Sequence, residues 1–126
     1  MKFKIPALSG LLLGSAIAAQ AEWTVKQFNE RKNDRNPEMR DLAAIYVGAV
    51  ALGMSYASLA PGREPLFCER PPVTGRQRTP RDYVDILTRY IENHKTESRL
   101  QPIDEFPIEP LLLAALMEAF PCPNNK

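Results

Sequence analysis

The sequence predicts an all-α protein, a small bundle of about four helices closed by one disulfide. Three observations predict it. Apolar residues recur at helical rather than alternating spacing; the helical segments open on recognisable start signals; and two cysteines sit in a chain that begins with an export signal. The 126 residues, 44% of them hydrophobic, suffice for one domain with its own core. Sixteen Lys and Arg against fifteen Asp and Glu leave a net charge of +1, too little for a nucleic-acid binder that works by neutralising phosphates. One histidine and two cysteines cannot complete a four-ligand zinc site or the two Glu-x-x-His halves of a di-iron bundle, so no metal and no cofactor is expected.

The first 21 residues read as a cleaved signal peptide. Lys2 and Lys4 form its positive start, residues 7–19 its uncharged apolar centre, and Ala19-Gln20-Ala21 its small-x-small cleavage site. The apolar stretch is several residues short of the roughly 20 that span a bilayer, which argues against a retained anchor. Residues 22–126 are then the mature single domain, expected in the periplasm. In an oxidising compartment an even pair of cysteines reads as a bridge, and Cys68 and Cys122, 54 positions apart, lack the Cys-x-x-Cys spacing of redox chemistry. A structural disulfide is the expectation.

Each helix has its own justification. Thr24 and Gln27 are spaced as a capping box, with Trp23 and Phe28 as a hydrophobic staple, so a short helix starts there and yields to the turn Asn33-Asp34-Arg35-Asn36. Asn36 caps a second helix with Pro37 at its first position and Glu38 at its positive end. Residues 42–60 then run without a charge. Length alone allows a membrane span, but Gly48, Gly53, two serines and many alanines weaken transfer into lipid, and a central helix buried on most sides is preferred. Small residues at Ala43, Ala49, Gly53 and Ala57 would let neighbouring helices approach. Pro61-Gly62 ends it.

A proline-rich loop over residues 63–78 follows. Thr79-Pro80-Arg81-Asp82 opens a third helix, on which Tyr83, Leu87, Tyr90, Ile91 and His94 share one side. His94, at the end of the stripe and near the helix C-terminus, reads as a packed imidazole rather than a general base. After an irregular, acidic connection with Asp104 and Glu105, a last helix begins near Pro107 or Pro110, burying Leu112, Leu113, Leu116, Met117 and Phe120, and Pro121 ends it at Cys122.

No catalytic constellation emerges: there is no nucleophile elbow, phosphate loop or His-Glu-x-x-His helix, and an enzyme is not expected. The one locally one-signed patch is Arg70, Arg76, Arg78 and Arg81, with no acidic residue among them. Its plainer reading is a solvated loop; its sharper one is a recognition surface, since guanidinium forks suit carboxylates or anionic lipid and prolines lower the entropy lost on ordering.

Phe67-Cys68, the Thr79 helix with Val84, Tyr90-Ile91 and His94, Ala115-Leu116, and Ala119-Phe120-Pro121-Cys122 resemble the pattern of the periplasmic Rap/Tai immunity proteins of type VI secretion. Tyr46-Val47 with Ala49-Val50 is similar to the upstream Tyr-x-x-Gly-Val of that family. Asp82, Ile91, Lys95 and Ala49 stand where the family has Gln, Leu, Pro and Gly, and the loops before Thr79 and after His94 are longer than its pattern. The resemblance implies a helical, disulfide-bonded protein that binds a peptidoglycan-cleaving amidase effector and blocks it stoichiometrically, often as a homodimer. On that reading the arginines at 70, 76, 78 and 81 are the first choice of contact residues, and no nucleic acid or stable membrane insertion is involved. The competing class is a periplasmic stress protein, an acid-activated chaperone-like binder that exposes apolar helix surface without a toxin partner.

Overall fold

The computed structural model describes residues 22–71 and 75–123; the leader expected over residues 1–21 and Pro72 of the mid-chain loop lie outside them. Among the described residues four α-helices follow in order: α1 (Val25–Lys32), α2 (Pro37–Ser58), α3 (Pro80–His94) and α4 (Ile108–Ala119), with two 3-10 turns (Ser98–Leu100 and Ile103–Glu105) between α3 and α4. The fold is a small disulfide-bonded helical bundle. Helix α3 packs against both α2 and α4, and α1 lies on α2.

The start signals work as their chemistry requires. Thr24 Oγ1 accepts from Gln27 N–H at 3.2 Å while Gln27 Oε1 accepts from Thr24 N–H at 3.0 Å, so two N-terminal amide groups that have no helical acceptor are satisfied reciprocally. The Trp23 indole stacks on Tyr46 of α2, 4.2 Å between centroids, and carries the Arg31 guanidinium over its face. Asn36 Oδ1 accepts from Glu38 N–H at 3.0 Å, with Pro37 at the first helical position. At the start of α3 the Asp82 carboxylate accepts from Thr79 N–H at 2.6 Å, and this bond holds the Asp82 carboxyl below the usual carboxylate range. Gly62, at φ +85°, supplies the left-handed residue that turns the chain away after α2.

The core joins Val25 and Phe28 of α1, Val47 and Ala51 of α2, Leu87, Tyr90 and Ile91 of α3, and Leu112, Ala115 and Leu116 of α4, closed by Phe67 and Leu100 from the connections. Two expectations change. Helix α2 is not buried on most sides: its core face holds Ala43, Ala44, Val47 and Ala51, while a row of large apolar residues stays outside. Helix α4 buries Ile108, Leu111, Leu112, Ala115 and Leu116, with Leu113 and Phe120 half-buried and Met117 exposed. The phase expected for α4 was rotated because residues 111–117 are apolar all round, which leaves helical periodicity no polar side to orient by.

Cys68 and Cys122 are bonded, 4.9 Å between Cα atoms, and Cys68 N–H donates to Phe120 O at 2.8 Å beside the bridge. The mid-chain loop is thereby fixed to the end of α4. Closing a loop of 54 residues stabilises a domain by about 4 kcal/mol in the chain-entropy treatment.

Candidate interaction surface

The four arginines do not form one patch. Arg78 is built into the fold: its guanidinium donates to Glu69 Oε2 at 2.8 Å and to Arg70 O at 2.9 Å, and lies over the Phe120 ring at 4.5 Å. Glu69 also accepts from the Tyr83 hydroxyl of α3 and from Ser55 Oγ of α2, the latter at 3.3 Å. Burial and the adjacent carboxylate push the Tyr83 hydroxyl up to about 12, so it remains a donor at any physiological pH. Glu69 and Arg78 thus tie α2, the mid-chain loop, α3 and the end of α4 together beside the disulfide. Arg70 is exposed near the same end and borders a cavity of about 110 Å³ with Cys68, Ala119, Phe120 and Pro121.

Arg76 and Arg81 lie elsewhere. Both line an open groove of about 500 Å³ between the start of α3 and the first half of α2, together with Asp41, Ala44, Ile45, Thr79 and Pro80. Arg81 pairs with Asp41 across that groove, and both partners are more than half exposed, so the pair contributes well under 1 kcal/mol. Behind it, a second pocket of about 310 Å³ brings Lys32 and Arg40 next to Arg81, Val84, Asp85 and Thr88. Arg40 also secures the α1–α2 turn by donating to Asp34 O at 2.7 Å and Arg35 O at 3.1 Å.

From this groove an apolar stripe runs the length of α2. Leu42, Ile45, Leu52, Tyr56 and Leu59 are between 47% and 73% exposed, and Ala49 completes the spacing 3-4-3-4-3, the a and d positions of a heptad. At roughly 100 Å² or more for each of five large side chains the patch is on the order of 500–600 Å², at the upper end of what monomers present to water. Helix α2 is also long and apolar enough to cross a membrane by length and composition. Ile45 belongs to both the stripe and the groove, so Arg76 and Arg81 flank one end of a continuous apolar surface.

The spacing of the stripe is present in the sequence, but nothing there marks it as the outer face. The remaining faces of α2 carry Ala43, Ala44, Val47, Val50, Ala51 and Met54, apolar as well, so periodicity alone cannot say which face turns inward. Two glycines distinguish the faces in the structure. A Cβ on Gly48 would meet Pro80 Cβ at 2.9 Å, so this glycine lets α3 start hard against α2. A Cβ on Gly53 would meet nothing within 4 Å.

His94 stacks on Tyr90 at 4.1 Å between ring centroids, with Nδ1 against the Glu97 carboxylate and Nε2 3.0 Å from Glu118 Oε1. Those two hydrogen bonds raise its pKa above the ordinary imidazole value. The arrangement fastens the end of α3 to the end of α4. Among the described residues no group of three or more His, Cys, Asp or Glu side chains is placed to hold a metal ion. No family model, curated protein or solved structure matches this chain.

Proposed function

We propose that this chain is a periplasmic immunity-type protein that binds one secreted peptidoglycan-cleaving amidase and inhibits it stoichiometrically. The observation that carries the reading is the apolar stripe of α2 with Arg76 and Arg81 at one end. An apolar strip bordered by guanidinium groups has the composition of a protein–protein hot spot: the apolar side chains contribute through burial, and the arginines steer association and fix register. The resemblance to the Rap/Tai pattern supports the same reading from a different side. Phe67, Cys68, Tyr90, His94, Phe120 and Cys122, the residues that carry it, are frame residues here: a core side chain, a disulfide, and the ties between helix ends. A shared frame with its own exposed surface is what a family of inhibitors with different partners needs.

The test mixes the protein with purified secreted peptidoglycan amidases and follows complex formation by calorimetry and muropeptide release by chromatography. A one-to-one complex with nanomolar affinity, and hydrolysis that stops at equivalence, is expected. Uninhibited hydrolysis with no complex sinks the reading. Arg76→Ala should slow association and flatten its salt dependence, whereas Arg78→Ala should act on stability, since Arg78 is held between Glu69 and Phe120.

The stripe also favours a second reading, the chaperone-like binder, because 19 consecutive uncharged residues over 42–60 suit any apolar client. Substoichiometric suppression of client aggregation, indifferent to client identity, would put this reading in place of the first. A second copy seated on the stripe would make a homodimer, which sedimentation of the protein and its Leu52→Asp variant reads directly.

A further inference from the structure

Among the described residues, one buried side-chain oxygen has no hydrogen-bond partner: Oε2 of Glu109, in the first turn of α4. Its sister Oε1 accepts from the Tyr46 hydroxyl at 2.6 Å and, at a long 3.4 Å, from the Trp23 backbone N–H. Burial and the Glu109 carboxylate raise the Tyr46 pKa well above the usual phenol range, with Glu22 adding to the effect. None of the ion pairs among the described residues involves Glu109. A buried carboxylate oxygen without a donor is destabilising and rare enough to need an explanation.

The backbone that approaches this oxygen is firmly placed. Ile108 N–H donates to Trp23 O at 2.9 Å, Val25 N–H donates to Phe106 O at 2.9 Å, and Thr24 pairs with Pro107 in an antiparallel bridge. The nitrogen of Glu22 is one residue upstream of the Trp23 N–H, roughly 3–3.5 Å along the chain. While the chain continues into residue 21, that nitrogen is a neutral amide with one hydrogen.

We propose that the Glu109 carboxylate is the receptor for an α-ammonium group, the one created on Glu22 when the leader is removed after Ala21. The cleavage reading is its premise. Water adds across the Ala21–Glu22 peptide bond: Ala21 leaves with the leader as a carboxylate, and the Glu22 nitrogen becomes an amine that takes up a proton at neutral pH. The new group has three donors and a positive charge, and rotation about the Glu22 backbone brings it from beside the Trp23 N–H onto Oε2. It places a cation against the Glu109 carboxylate and gives the orphaned oxygen its donor. The fold thus gains a tie between its N-terminus and α4 only after processing, and the exported form is more stable than its precursor.

The experiment uses the full chain, exported and processed in cells, then purified. Intact mass reads where it starts. The α-amine is then acetylated near pH 7, where it reacts ahead of lysine, in native protein and in urea. The native amine should react about tenfold more slowly than the unfolded one, and Glu109→Gln, which keeps the oxygen that Tyr46 and Trp23 use, should remove that protection. Acetylated protein should lose about tenfold in its folding equilibrium constant, read from urea midpoints, and acetylated Glu109→Gln nothing further. Inserting one glycine between Ala21 and Glu22 displaces the amine and should match acetylation. Equal reactivity in native and unfolded protein, or protection that survives Glu109→Gln, overturns the proposal, and a mass placing the start elsewhere removes its premise. None of these readouts depends on whether an amidase is bound.

Discussion

The two faces of α2 invert the usual distribution of size. Its core face is built from small residues, Ala43, Ala44, Val47 and Ala51, over which α1 and α3 close tightly enough that Pro80 leaves no room for a side chain on Gly48. Its outer face holds Leu42, Ile45, Leu52, Tyr56 and Leu59, side chains that would ordinarily form a core. The fold obtains helix proximity from the first face and leaves the second open to water. The difference teaches that apolarity along a helix fixes neither its orientation nor its role. Close packing is set by what fits, and on α2 the large side chains lie on the face that the other helices do not cover.

The sharpest way to break the comparison is to charge each face in turn. Val47→Asp places an unpaired carboxylate in a site with no exposure and should destabilise by about 4 kcal/mol or more, enough to unfold a domain of ordinary stability. A cooperative urea transition near the parent midpoint would show that α2 does not sit as described. The same chemistry on the outer face, Leu52→Asp with Tyr56→Asp, should shift stability by no more than roughly 0.5 kcal/mol per site while abolishing capture of the partner. Unfolding by this second pair would mean that the stripe is core.

The two glycines give a smaller but cleaner contrast, because one substitution has opposite signs five residues apart. Gly48→Ala forces a methyl group against Pro80 and should cost about 1–2 kcal/mol, the range of modest overpacking. Gly53→Ala meets open space and should stabilise by about 0.5–1 kcal/mol through helix propensity and a less flexible unfolded chain. Both are read from urea midpoints at constant slope. If Gly53→Ala is stabilising yet weakens partner binding, the missing side chain serves close approach of the partner to α2.

Much of this architecture was legible in the sequence because it rests on local chemistry. Thr24 with Gln27, Asn36 with Pro37 and Glu38, and Thr79 with Pro80 and Asp82 mark helix starts through side-chain bonds to amides two or three residues away, and each is found where the spacing put it. The Cys68–Cys122 pairing was legible once export was inferred, since two cysteines allow one bridge. The rest depended on tertiary contacts with no local trace. The stripe on α2 and the phase of α4 were hidden because apolar residues surround both helices. The arginines formed one cluster in sequence, but Arg78 turns inward to Glu69 while Arg76 and Arg81 flank the groove at Ile45, a separation decided by the path of the loop. The role of Glu109 has no local trace either, because the hydroxyl that donates to it belongs to Tyr46, 63 positions away.

The least change is expected at His94, and its sign bears on the chaperone-like alternative. Hydrogen bonds to Glu97 and Glu118 raise the His94 pKa, so folding favours the protonated ring. That contribution is fully present below the unfolded value near 6.5 and is lost as pH rises through the higher folded value. Asp82 runs oppositely: its pKa is lowered by the Thr79 N–H, so its contribution is present above about 3.9 and is lost as pH falls through its folded value. Acidification from pH 8 to 5.5 should therefore tighten the link between the ends of α3 and α4. His94→Gln, which keeps hydrogen-bonding groups but cannot gain the charge, should flatten the pH dependence of the melting temperature across that interval. A protein that opened in mild acid would melt lower at pH 5.5 than at pH 8 with His94 intact, and the tie to Glu118 would then be the wrong description of this end of the bundle. If the melting temperature rises instead, any acid-gated exposure has to begin below about pH 5.5, where carboxylates take up protons. Client binding at neutral pH would then belong to the outer face of α2, which is already open to water.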